Sequence, residues 1–61
     1  EGTDFLLSVQ KYLLDVEKKI HAYLMDGKKR KAIMDTLNLS IYEYKKSMMR
    51  IKLAYYRAAL R

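Results

Sequence analysis

From Asp4 to Leu60 the chain contains no proline and a single glycine, Gly27, while apolar side chains recur at intervals of three and four. Sandwiches and barrels need frequent turn residues, so a chain punctuated this sparsely is expected to be all-α. Its 61 residues make one small domain. A chain of this size buries only about 60% of its unfolded surface, which leaves little core into which an enzyme cleft could be cut. An enzyme is therefore not expected. Cysteine is absent, which removes disulfides and thiolate metal sites.

Three amphipathic segments are legible. The first runs from about Asp4 to Met25, with Leu6, Val9, Leu13, Val16, Ile20 and Leu24 on one stripe of a single long helix. Thr3 or Asp4 can cap its start, and Gly27 stands where a left-handed residue ends a helix. The second runs from about Lys29 to Leu37, with Ala32, Ile33 and Leu37 as its apolar edge, and Asn38 suits a left-handed end. The third runs from Ser40 to about Leu60. It opens with the capping box Ser40-Ile41-Tyr42-Glu43 and carries the stripe Tyr44, Met48, Ile51, Tyr55, Ala58. Only Asn38 and Leu39 separate the last two segments, so tight a joint that it forces a sharp angle with Leu39 turned inward. The expected architecture is a three-helix helix-turn-helix domain: long helix, short helix, long helix.

Charge divides the chain in two. Residues 1–26 hold three basic and five acidic groups, a net of −2, whereas residues 27–61 hold ten basic and two acidic groups, a net of +8. A cationic half of this kind calls for an anionic partner. No apolar run approaches the length of a bilayer span, and residues 1–26 carry no signal-peptide pattern, so a cytoplasmic location is expected. The chain starts at Glu1 rather than Met, which reads as a piece of a longer protein.

The stretch from Val16 to Leu53 resembles the helix-turn-helix of LuxR/NarL-type response regulators and of region four of bacterial sigma factors. Those families have an apolar helix ending in Gly, a short I-A-x-x-L-G helix, an apolar residue and Ser, then a capped recognition helix. Here the order is Leu24-Met25-Asp26-Gly27, Ile33-Met34-Asp35-Thr36-Leu37-Asn38 and Leu39-Ser40. Glu43-Tyr44-Lys45 follows where T-V-K is usual, and Arg50-Ile51-Lys52 closes the match. Met34 stands where the families prefer Ala, and Asn38 where they have Gly. The resemblance implies binding of double-stranded DNA by a transcription regulator of bacterial or phage type. A second copy, RNA polymerase, or a regulatory domain outside these residues are the further partners such a domain takes.

If the third segment lies in the major groove, its core stripe turns Tyr42, Lys46, Met49 and Leu53 outward, flanked by Glu43, Lys45 and Arg50. Ile41, Tyr42, Glu43, Lys45 and Lys46 then lie nearest the base edges, with Ser40, Met49 and Arg50 as further DNA contacts. Lys28, Lys29, Arg30 and Lys31 form the densest charge cluster, at a helix N-terminus where cations oppose the macrodipole. Phosphate docking would explain that placement, the alternatives being a solvated loop that happens to be basic or a nuclear-import signal. His21 has no second imidazole or thiol to join it as a metal site or triad, and is expected on the flank of the first helix. Tyr44 and Tyr55 fall on the core stripe, Tyr12 and Tyr23 flank the first one, and Tyr42 and Tyr56 are expected outside. No cofactor is expected.

Apolar residues exceed what one core can cover. Leu7 and Leu14 lie off the first stripe, and Met49, Leu53, Tyr56 and Leu60 oppose the third. Leu7, Leu14, Leu53, Tyr56 and Leu60 are thus candidates for a two-fold dimer interface that sets two reading helices side by side. Two rivals remain: a helical protein-protein interaction module with a basic face, and a cationic amphipathic peptide acting on anionic membranes. The short capped second helix and tight turn favour DNA binding over both.

Overall fold

The computed structural model describes the backbone of residues 2–60 and the side chains of residues 3–60. Among the described residues it is all-helical, with four helices and no strand: α1 Gly2–Gln10, α2 Asp15–Met25, α3 Arg30–Leu37 and α4 Ile41–Leu60. The single long first helix expected from the periodicity is in fact two. Thr3 and Asp4 accordingly lie inside the first turn of α1 rather than ahead of it.

The break has a local cause. The amides of Lys11, Tyr12 and Leu13 donate to the carbonyls of Ser8, Val9 and Gln10, three residues back, at 3.2, 3.0 and 3.2 Å. These tight turns end α1. Leu14 is then extended, with φ −79° and ψ 169°, and serves as the N-cap of α2. Leucine has no side-chain acceptor, so only the reverse half of a capping box forms: the Leu14 amide donates to Glu17 Oε1 at 2.9 Å. Asp15 and Glu17 in the first turn complement the macrodipole. Val16, expected on the buried stripe, is 37% exposed because the break shifts its register.

The break also serves packing. A straight helix touches a crossing neighbour over a limited length. Divided in two, the segment lays both α1 and α2 against α4. Val9 and Leu13 from the first part and Ile20 from the second then enter one core with Ile33, Tyr44, Ile51, Ala54 and Ala58. The expected stripe of the third segment faces inward as a whole, with Tyr44, Ile51 and Ala58 buried and Met48 and Tyr55 half-buried. At 20 residues α4 is about 30 Å long. It therefore runs along most of the 33 Å long dimension of the molecule.

The two expected left-handed positions are realised. Gly27 has φ +85°. Around it the Lys28 amide donates to the Tyr23 carbonyl and the Gly27 amide to the Leu24 carbonyl, both at 3.0 Å, a Schellman end. Asn38 has φ 56° and ψ 49°, and the Leu39 amide donates back to the Met34 carbonyl at 2.9 Å. Leu39 is half-buried against the core, as the tight joint requires. In α3, Ile33 is buried and Leu37 half-buried, but Ala32 is exposed, so the inward edge is narrower than its sequence suggests. None of the helices among the described residues is long and apolar enough to cross a membrane.

Candidate nucleic-acid interface

The N-terminus of α4 is built by a complete capping box. The Glu43 amide donates to Ser40 Oγ at 3.1 Å, and the Ser40 amide donates to Glu43 Oε1 at 2.8 Å. The Ser40 amide and then its hydroxyl hold the Glu43 carboxyl below its ordinary value, with a small opposing effect of desolvation. This reciprocal pair fixes where α4 begins and so fixes the direction of its outer face.

On that face Ile41, Tyr42, Glu43, Lys45, Lys46, Met49 and Arg50 are all exposed, as is Ser40. Lys28, Lys29, Arg30 and Lys31 are exposed at the α2–α3 junction. Lys29 is the N-cap of α3, with φ −87° and ψ 160°, and no acidic residue stands in that helix's first turn. The unfavourable encounter of cations with the macrodipole is thus present in the fold. Lys28 is partly drawn back onto α2, where its ammonium lies 5.7 Å from the Tyr23 ring centroid.

Arg50 is held by a partner that sequence reasoning missed. Its Nε donates to Glu17 Oε2 at 2.6 Å, and Glu17 is only 1% exposed. The half-exposed Arg50 side chain therefore leaves the α4 surface under constraint rather than free in solvent. The signal for Glu17 was weak: an acidic residue on the flank of an apolar stripe ordinarily faces water.

His21 is buried rather than on a flank. Its Nε2 shares a 2.5 Å hydrogen bond with the Tyr55 hydroxyl, and the two ring centroids are 5.5 Å apart. Phe5 lies on Tyr55 as well, at 5.8 Å. One tyrosine thereby ties α1 and α2 to α4, a structural role that accounts for the lone imidazole. Among the described residues no group of three His, Cys, Asp or Glu side chains could hold a metal. Tyr42 and Tyr56 are exposed as expected, and Tyr12 is exposed too, with the Arg57 guanidinium 5.8 Å from its ring centroid.

The surplus apolar residues Leu7, Leu14, Leu53, Tyr56 and Leu60 are all more than half exposed. Leu14 lies beside Glu43, Lys46 and Arg50 on one flank of α4, and Leu53 beside Tyr12 and Arg57. Comparison of the chain with family models, with curated proteins and with solved structures finds no match.

Proposed function

We propose that α3 and α4 form a helix-turn-helix that binds double-stranded DNA, with the first turns of α4 in the major groove. The observation that carries this reading is the exposed, charged outer face at the start of α4, together with the exposed basic run at the α2–α3 junction. The three residues Asn38, Leu39 and Ser40 connect the two helices, and the left-handed Asn38 turns the chain between them. Lys28, Lys29, Arg30 and Lys31 then neutralise phosphates, while Lys45 and Lys46 reach guanine edges and Glu43 accepts from cytosine. Arg50, steered by Glu17, lies one turn farther along and reaches either a base or the backbone. A transcription regulator of bacterial or phage type is the setting that fits such a domain.

The test uses duplexes selected from a random pool for binding to the protein. Lys46→Ala should weaken the selected duplex more than a random one, because a base contact distinguishes sequences. Lys29→Ala should weaken both about equally, because a phosphate contact does not. Equal losses on both duplexes for Lys46→Ala would remove α4 from the groove.

A further inference from the structure

The exposed face of α4 carries a second pattern, most of it beyond the turns assigned to DNA reading. Met49, Leu53, Tyr56 and Leu60 follow one another at four, three and four residues, the spacing of a coiled-coil seam. They are 67, 57, 67 and 69% exposed, so the fold leaves this seam uncovered. Lys45 and Lys52 flank it on one side, Arg50 and Arg57 on the other, and no acidic residue occurs between Tyr44 and Leu60.

We infer that this seam docks an acidic amphipathic helix of another protein, with apolar residues at heptad spacing and Glu or Asp beside them. The flanking charges select that occupant over a second copy of the chain. In a parallel pairing Lys45 would face Arg50 of the copy, and Lys52 would face Arg57. In an antiparallel pairing lysines would face lysines and arginines would face arginines. Both arrangements set like charges across the seam, offset only at Arg50 by its Glu17 partner, which disfavours self-pairing, whereas an acidic helix meets Lys45, Lys52 and Arg57 favourably. The two-fold dimer expected from the apolar surplus alone is thus opposed by the charges around it. Leu53, Tyr56 and Leu60 lie beyond the turns assigned to the groove, while Met49, Lys45 and Arg50 lie where the two surfaces meet, so one helix presents a DNA-facing start and a protein-facing end.

The probe is a synthetic heptad-repeat peptide with Leu on its seam and Glu on both flanks, which repels its own copies; its counterpart has Lys on the flanks. Anisotropy of each labelled peptide is followed as the protein is added. The Glu peptide should bind, weakening as salt rises, and the Lys peptide should not. Leu53→Ser, at an exposed position that leaves the core intact, should weaken the Glu peptide roughly tenfold or more. Lys52→Glu should weaken the Glu peptide and strengthen the Lys peptide. Failure of the Glu peptide to bind, or equal binding of both peptides, would overturn the inference. So would sedimentation equilibrium showing a dimer that Leu53→Ser dissociates, because a second copy would then cover the seam. A loss of duplex affinity in Leu53→Ser as large as the loss of peptide affinity would also overturn it, assigning the seam to DNA. The Lys29 and Lys46 variants report on groove binding separately, so the two readings fail independently.

Discussion

Arg50 on α4 donates through Nε to Oε2 of Glu17 on α2 at 2.6 Å, while Oε1 of the same carboxylate accepts the Leu14 amide that opens α2. One buried carboxylate thus ends the α1–α2 break and fastens α2 to the helix proposed to read DNA.

Removing Arg50 and removing its neighbour Lys46 should have unequal consequences. Arg50→Ala strands a carboxylate that is 1% exposed, which costs about 2–4 kcal/mol. Lys46→Ala, on the same helix but exposed and without a buried partner, should change stability by less than about 0.5 kcal/mol. Urea unfolding of the two variants checks this. Equal midpoints would mean that the Glu17–Arg50 pair contributes nothing to holding α2 on α4.

The cap of α4 is pH-sensitive in a stated direction. Because the Ser40 amide and hydroxyl lower the Glu43 value in the folded protein, the stability it contributes is present above the ordinary carboxylate value of about 4.3. That stability is lost as pH falls through the folded value. In an NMR titration the Glu43 side chain should have its midpoint below that of an unstructured Glu, and Ser40→Ala should move it upward. Superimposable curves for the two proteins would show that the Ser40 hydroxyl does not act on Glu43 in solution.

Two left-handed residues invite opposite substitutions. An added Cβ at Gly27 would meet open space, so Gly27→Ala should cost about 1 kcal/mol from its φ of +85° alone. Asn38→Gly relieves the same constraint at φ 56° and should be neutral or stabilising, whereas Asn38→Val should destabilise. In thermal unfolding Asn38→Gly should melt at or above the parent protein, and Gly27→Ala and Asn38→Val below it. A destabilising Asn38→Gly would mean that the Asn side chain itself holds the turn.

The Tyr55 hydroxyl is a further check on the core. Tyr55→Phe keeps the tilted ring contacts with Phe5 and His21 but removes the partner of His21 Nε2. A buried imidazole without that hydrogen bond should cost about 1–3 kcal/mol. A cost near zero in denaturant unfolding would mean that the imidazole is satisfied by water.

Much of the fold is legible in the sequence because its signals are local. Gly27, Asn38 and the Ser40–Glu43 box each act within a few residues, and all three fix helix ends in the structure. The periodicity of α4 is likewise sufficient to place its buried and exposed faces. The break at residues 11–14 was hidden for a physical reason. Apolar spacing of three and four runs through it unbroken, and its caps are backbone groups and one glutamate rather than Gly, Pro or Ser. Glu17 and His21 were missed on the same ground: each is buried by a partner more than thirty residues away, Arg50 and Tyr55, which no local pattern names. For the candidate interface, exposure of its residues followed from the α4 wheel, while the tether on Arg50 required the tertiary contact.

The central claim, duplex DNA binding through the basic half of the molecule, is tested most directly by titrating duplex DNA with the protein across a range of salt concentrations. Residues 27–61 carry a net charge of +8. If about five of these charges neutralise phosphates, log K should fall against log salt with a slope of about −4 to −5. Replacing Lys29 and Arg30 together with Ala should reduce that slope by about 2. Absence of binding at low salt, or binding that salt does not weaken, would contradict the account.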